Sequence, residues 1–255
     1  MAFERKAIYT RENEASLIDL GLPWNFEDFS SSSSLHDLHP YPARFIPPIP
    51  RRAIELWSKE GDLIYDPFCG CGTTLLEASL LGRRSIGTDN NDVAVLVSRA
   101  KTTIYNSDDI SKLKSFRASF LKNLEETTFQ SEDLPSDVNF PGWFQPEVLE
   151  QLGKIRQVIE GSMEPVRTFL LAVYSSIIVR VSLQDSDTRY ARIVKEISKD
   201  NVTKSFLQIR AFCLAGRSKR VHLTQSCLPK LNRSLPTKQR FARWREENKH
   251  FRAAG

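Results

Sequence analysis

The sequence has little of what stabilises secreted or membrane-embedded chains. Its 255 residues include only four cysteines, at positions 69, 71, 213 and 227, and no CxxC pair of zinc-ribbon spacing. We therefore expect neither a disulfide framework nor a metal site. The longest apolar run, residues 169–179, has 11 residues, whereas a membrane-spanning helix needs about 20. The first residues lack the apolar stretch of a signal peptide, so the sequence predicts a cytoplasmic protein with no membrane segment.

Positive charge is unevenly distributed along the chain. Residues 1–203 contain 23 Lys and Arg against 29 Asp and Glu, a net charge of −6, whereas residues 204–255 contain 13 against 2, a net charge of +11. The formal net charge of +5 therefore arises entirely from the last fifth of the chain. Basic segments of this kind either bind nucleic acid or remain solvated. Aromatic side chains between the cations, such as Trp244, suit stacking on bases.

Short apolar runs and helical patterns alternate in residues 62–102 in the order of a βαβα unit. Such a unit predicts an α/β fold with a parallel, doubly wound sheet and a right-handed crossover. The predicted parts are a strand at Asp62–Asp66 buried on both faces, a turn at Pro67–Gly72, a helix beginning at Thr73, a second strand at Arg84–Thr88, and a further helix capped by Asp92.

The flanking segments have different patterns. Five prolines between Pro40 and Pro50 predict an extended segment, followed by a helix at Arg51–Lys59. From residue 108 onward, helical patterns follow one another without a clear strand. There are four of them, at residues 111–126, 146–160, 164–183 and 193–212. We therefore predict an N-terminal loop and cofactor-binding region at residues 1–107, a helical insertion at 108–210 and a basic tail at 211–255, with a further strand starting at Arg220–Thr224.

The turn between the first strand and its helix suits a nucleoside-containing cofactor. Gly70 and Gly72 let the backbone approach a ligand closely, and the helix start offers free N–H groups. Asp89 ends the second strand, 17 residues beyond Gly72, near the spacing of an acid that holds ribose hydroxyls. Asp66 at the strand end disfavours a pyrophosphate but can accept hydrogen bonds from an ammonium group. A turn of small residues chosen only for packing is the alternative.

Three segments resemble motifs of the S-adenosylmethionine-dependent DNA amino-methyltransferases, which modify cytosine N4 or adenine N6. DPFCGCGTTLLEA (residues 66–78) resembles their motif I, GTDNN (residues 87–91) their motif II, and HPYPARFIP (residues 39–47) their motif X. Residues 143–159 and 179–197 resemble the helical region of the same family. Thr88 and Asp92 depart from the usual pattern without affecting the expected ribose contact.

The resemblance implies a Rossmann-like methyltransferase fold, S-adenosyl-L-methionine as cofactor and DNA as substrate, typically in restriction-modification. It also implies which residues bind the cofactor: His39, Pro40, Phe45, Asp66, Pro67, Phe68, Gly70, Gly72, Thr73, Thr74, Asp89 and Asn90. For His39, a hydrogen-bonded packing role in the proline-rich loop is the alternative. Cys69 and Cys71 are expected to be small packing residues.

The catalytic motif of the family, (Asp/Asn/Ser)-Pro-Pro-(Tyr/Phe/Trp), does not occur in this sequence. Its only Pro-Pro pair, Pro47-Pro48, is flanked by isoleucines. Three interpretations follow: a truncated or frame-shifted methyltransferase, one half of a split enzyme whose second polypeptide carries the motif, or a non-catalytic module that binds the cofactor or DNA. An RNA methyltransferase is a further alternative, because the same chemistry serves both nucleic acids. The sequence indicates neither the recognition site nor the target base.

Overall fold

The structure is a computed structural model that describes residues 24–26, 35–130 and 140–208. Residues 24–26 belong to a unit formed by residues 1–28 and 226–255, and all the others belong to a second unit, residues 29–225. The fold below is that of the second unit. The predicted strand at Arg220–Thr224 and the basic tail lie outside the described residues.

Helices make up most of the second unit, and two short strands occur near its beginning. The elements, in chain order, are a 3₁₀ helix (Leu35–Leu38), α1 (Pro48–Trp57), β1 (Leu63–Asp66), α2 (Thr73–Leu80), β2 (Arg84–Gly87), α3 (Asp92–Thr102), α4 (Ser107–Glu126), α5 (Phe140–Trp143), α6 (Pro146–Glu160), α7 (Val166–Ile177) and α8 (Lys199–Leu207). The predicted division at residues 107 and 210 stays a prediction.

The two strands form a parallel sheet with helix α2 as the connection between them. Leu63 lies opposite Arg84, and Asp66 lies opposite Gly87. The predicted β-α-β order is confirmed, and each strand is one residue shorter than expected. The prediction that the first strand is buried on both faces is wrong for the described residues, because Leu63 is 40% and Tyr65 53% exposed. Only alternate residues of β1 point toward neighbouring elements, as the period-two geometry of a strand requires.

Two helix starts differ from the sequence prediction. Helix α1 begins at Pro48, three residues before Arg51, and includes Pro50 in its first turn. Proline is tolerated there because the first helical N–H groups have no partner within the helix. Helix α3 is capped by Asn91, whose side-chain oxygen accepts a hydrogen bond from the Val93 N–H at 2.9 Å. Asp92 instead takes the first helical position, where its charge suits the helix dipole.

The apolar core lies mainly among the helices of the second half. Helix α7 packs on α3, α6 and α8, and it contributes Phe169, Leu170 and Val173, all fully buried. The rings of Phe120 in α4 and Phe206 in α8 stack at a centroid distance of 5.0 Å. All four predicted helical patterns contain a helix, although the last begins only at Lys199. Within the described ranges, we find no helix that is both long and apolar enough to span a membrane.

Candidate functional site at the ends of the two strands

Two glycines shape the turn that leads from β1 into α2. Gly70 has φ +49° and Gly72 has φ +80°. Residues other than glycine rarely adopt such backbone angles. A Cβ atom on Gly72 would lie 2.5 Å from the Ser98 hydroxyl oxygen in α3. The backbone of the turn therefore packs directly against α3, and the position of Gly72 admits no larger residue without a shift.

The Asp89 carboxylate connects the two turns that follow the strands. One oxygen accepts a hydrogen bond from the Gly70 N–H at 2.9 Å, and the other accepts one from the Asn91 N–H at 2.9 Å. A carboxylate has about four lone-pair sites, so each oxygen keeps the capacity for a further donor. The predicted acidic side chain thus lies beside the predicted glycine turn, 19 residues earlier in sequence.

Asp66 lies at the carboxyl end of β1, directly before the same turn. Its side chain accepts a hydrogen bond from the Phe68 N–H at 3.1 Å. The Cys69 thiol is influenced by both carboxylates. Burial raises its pKa to about 11, and the charges of Asp66 and Asp89 contribute to this increase. A thiol with so high a pKa is not a thiolate nucleophile at neutral pH, in agreement with a packing role.

The segment HPYPARFIP runs past the glycine turn. His39 is 8% exposed, and its Nε2 lies 3.1 Å from the Ser175 hydroxyl oxygen in α7. Burial, followed by the charge of Lys101, lowers the pKa of His39 to about 4. The imidazole is therefore neutral at pH 7 and hydrogen-bonded in the protein interior, as the packing alternative expects.

Tyr41 was not among the residues predicted for the site, yet it covers the turn. A Cβ atom on Gly70 would lie 3.6 Å from Tyr41 Cε1. Burial, followed by the charge of Asp89, raises the pKa of the Tyr41 phenol, while hydrogen bonding by the Asn91 side chain lowers it. Its position within the motif X segment, between His39 and Phe45, was the signal that could have identified it.

The remaining predicted residues divide between the turn and its surroundings. Thr73 is buried at the start of α2, beneath the turn. Phe45 and Thr74 both line an apolar groove together with Trp57 and Ile64. The other predicted residues are exposed: Pro40, Pro67, Phe68 and Asn90. Their contacts with a cofactor stay predictions.

Charged groups buried near the turn were not anticipated from the sequence. Lys101 is 1% exposed, and its Nζ lies 3.3 Å from Cys71 Sγ. Burial lowers the pKa of this lysine. Glu77 in α2 is also buried and pairs with His36 and Arg51. Neither residue could be singled out from the sequence, because no local pattern specifies the partner of a buried charge. No group of three or more possible metal ligands occurs in the part of the chain that the structure describes.

Comparisons with known proteins point to one chemical class. Residues 4–99 match a family model of N6- and N4-methyltransferases described as "DNA methylase". The chain is 30% identical over 195 residues to the Type II methyltransferase M.MvaI of Kocuria varians, covering 72% of this chain and 43% of that protein. It is 36% identical over 92 residues to the Type II methyltransferase M.MjaII of Methanocaldococcus jannaschii, covering 36% of this chain and 17% of that protein.

A third relative acts on another nucleic acid. The tRNA (guanine(10)-N2)-dimethyltransferase of Methanocaldococcus jannaschii is 33% identical over 96 residues, covering 36% of this chain and 27% of that protein. The chain spans less than half the length of each of these three relatives. No solved structure matches the chain.

Proposed function

We propose that this chain, which belongs to the family of N6- and N4-DNA amino-methyltransferases, binds S-adenosylmethionine at the turn between β1 and α2. The observation that carries the proposal is the Asp89 carboxylate, which contacts the glycine turn and keeps free lone pairs beside it. We further propose that the chain supplies the cofactor-binding part of a site-specific DNA methyltransferase.

The charges around the turn fit a cationic cofactor. S-adenosylmethionine carries a sulfonium whose methyl group is activated for transfer, and it also carries an ammonium, a carboxylate and a ribose. Asp89 would accept hydrogen bonds from the ribose hydroxyls. Asp66 would accept them from the ammonium, and the N–H groups at the start of α2 would face the cofactor carboxylate. His39, neutral and buried, would support the loop without exchanging a proton.

The substrate we favour is an exocyclic amine of cytosine or adenine in DNA. The matched family is described as "DNA methylase", and two relatives are named Type II methyltransferases. RNA is the second candidate, and the likeness to a tRNA (guanine(10)-N2)-dimethyltransferase supports it. Both substrates present an amine whose lone pair is delocalised into the ring. The enzyme must therefore flip the base out and orient the amine toward the methyl group.

We propose that the base-binding residues come from a segment or second polypeptide outside this sequence. No (Asp/Asn/Ser)-Pro-Pro-(Tyr/Phe/Trp) motif occurs in it, and Pro48 of its only Pro-Pro pair begins helix α1. Among the described residues, β1 pairs with β2 alone, and its Leu63 and Tyr65 are exposed. An incomplete Rossmann-like, doubly wound sheet, to which further strands add beside β1, fits these features. A non-catalytic module is the rival.

A titration with S-adenosylhomocysteine, the stable product of methyl transfer, tests the cofactor site. Calorimetry should detect binding by the purified chain, and Asp89→Ala should weaken it at least about tenfold, because a charge-assisted pair of hydrogen bonds is lost. Asp92→Ala is the matched control, since it removes an exposed carboxylate three residues away and should leave the affinity unchanged. Circular dichroism verifies that both variants keep their helices. Wild-type protein that binds no S-adenosylhomocysteine would overturn the proposal.

Methyl transfer tests the second part of the proposal. The chain alone should incorporate no labelled methyl group into DNA or tRNA, since the residues that orient the amine are not in the sequence. Robust methylation of either nucleic acid by this chain would contradict the proposal that the base-binding residues lie outside it. Methylation of tRNA but not of DNA would in addition move the substrate to RNA.

A further inference from the structure

The buried Glu77 carboxylate in α2 joins two elements that precede it in the chain. One oxygen lies 2.7 Å from His36 Nε2, and the other accepts a hydrogen bond from the Arg51 guanidinium at 3.1 Å. Glu77 is 3% exposed and His36 is 4% exposed. A buried carboxylate is stable only when it is paired, so the two contacts fix the 3₁₀ helix and α1 against α2.

The segment after His36 is held at further points. The Arg44 guanidinium donates to the His36 carbonyl oxygen and to an Asp37 carboxylate oxygen at 3.1 Å. His39 contacts Ser175 at 3.1 Å. Ala43 has φ +54°, a left-handed conformation that costs about 1–2 kcal/mol for a residue with a Cβ atom. The anchors therefore hold the loop in a conformation it would not favour by itself.

The result of this anchoring is the position of Tyr41. Its ring lies against Gly70, with Cε1 3.6 Å from where a Cβ atom on Gly70 would be. The charge of Asp89 contributes to the raised pKa of its phenol. In the proposed site this is the ribose end of the cofactor. A ring at that place can shield a nucleoside from water and contact it over a large apolar area.

We infer that Glu77 is a positioning residue: through His36 it holds Tyr41 over the glycine turn, where the tyrosine contacts the nucleoside part of the cofactor. The inference rests on the proposed function. In the proposed site, Glu77 itself contacts neither the cofactor nor the reacting atoms. Its effect on binding must therefore be transmitted by the loop that contains Tyr41.

A double-mutant cycle between Glu77 and Tyr41 tests the inference. Calorimetry gives the Kd for S-adenosylhomocysteine of the wild type, Glu77→Gln, Tyr41→Ala and the double variant. Glu77→Gln should raise the Kd about fivefold when Tyr41 is present and less than about twofold when Ala replaces it, because residues that act through one another are not additive. Equal losses in both backgrounds would overturn the inference.

A control and a cofactor-free measurement complete the test. Glu55→Gln removes an exposed carboxylate that pairs with the same arginine, Arg51, at 3.4 Å, and it should not change the Kd. Trypsin should cut after Arg44 several-fold faster in Glu77→Gln without cofactor, because release of the loop exposes that bond. An unchanged cutting rate, or an equal effect of Glu55→Gln, would contradict a positioning role.

If Glu77→Gln loses its helical signal, His36→Gln replaces it with the same expected cycle, since this variant leaves the Glu77–Arg51 pair in place. If the wild type binds no S-adenosylhomocysteine but Glu77→Gln still frees the loop to trypsin, the proposed function fails while the anchoring by Glu77 stands.

Discussion

The helical region (residues 107–207) and the glycine-turn region (residues 63–102) differ in how they bury apolar side chains. Phe120, Phe169 and Phe206 in the helices are fully buried, whereas Phe68 in the turn is 86% exposed. The buried phenylalanines therefore lie in the helical region, while the groups suited to a ligand lie at less buried strand ends. Sites of chemistry commonly sit on such connecting segments, which a rigid scaffold positions.

Truncation of one phenylalanine in each region should have very different effects on stability. Phe169→Ala should reduce the free energy of unfolding by about 3–5 kcal/mol, because it leaves a cavity in a closed core. The substitution also removes the edge-to-face contact between the Phe169 and Tyr105 rings, whose centroids are 5.5 Å apart. Phe68→Ala should cost less than about 0.5 kcal/mol, as is usual at exposed positions. Urea unfolding followed by circular dichroism measures both.

A loss at Phe68 as large as that at Phe169 would show that the turn is covered in solution by another part of the protein. In that case the two regions would not differ in burial, and the proposal that further strands add beside β1 from outside would lose support.

His39 contacts the helical region through Ser175, and its pKa predicts a pH dependence. Burial lowers the pKa of His39 from 6.5 to about 4, so between these values the unfolded chain binds a proton that the folded chain excludes. Stability is therefore fully present above pH 6.5 and is lost as the pH falls toward 4. The loss is roughly 3 kcal/mol.

His39→Gln should remove this contribution, so the unfolding free energy of the wild type should fall by roughly 3 kcal/mol relative to that of the variant between pH 7 and pH 4. Ser175→Ala keeps the buried imidazole, so it should retain the pH dependence of the wild type. Parallel wild-type and His39→Gln curves over this range would mean that His39 is not buried in the neutral form.

The sequence predicted well those features that local patterns determine. The β-α-β order followed from apolar runs separated by glycines, and the placement of Asp89 beside Gly70 followed from the parallel order of two adjacent strands. Helix α6 was predicted with its observed bounds, Pro146–Glu160, because its amphipathic pattern starts at a proline and ends before a glycine.

Features that depend on contacts between distant residues could not be predicted. The pairs Glu77–His36 and Lys101–Cys71 are 41 and 30 residues apart in sequence, and no local pattern specifies such partners. The exposure of Tyr65 depends on which elements cover the sheet. A short apolar run is consistent with a covered strand, but it does not determine what covers it. Both Asn91 and Asp92 have side chains that can cap a helix, and only the structure shows that Asn91 accepts the hydrogen bonds from the Val93 and Ala94 N–H groups.

Two glycine substitutions separate the cost of backbone strain from the cost of packing. Gly61 and Gly72 have similar angles, φ +87° and φ +80°, but a Cβ on Gly61 meets nothing within 4 Å. Gly61→Ala should therefore cost about 1 kcal/mol from strain alone, and Gly72→Ala about 2 kcal/mol because Ser98 must also move. Ser98→Gly in the Gly72→Ala background should recover much of that difference. Equal losses for both glycines would mean that the turn does not pack tightly against α3, and the rigid placement of the site would lose its basis.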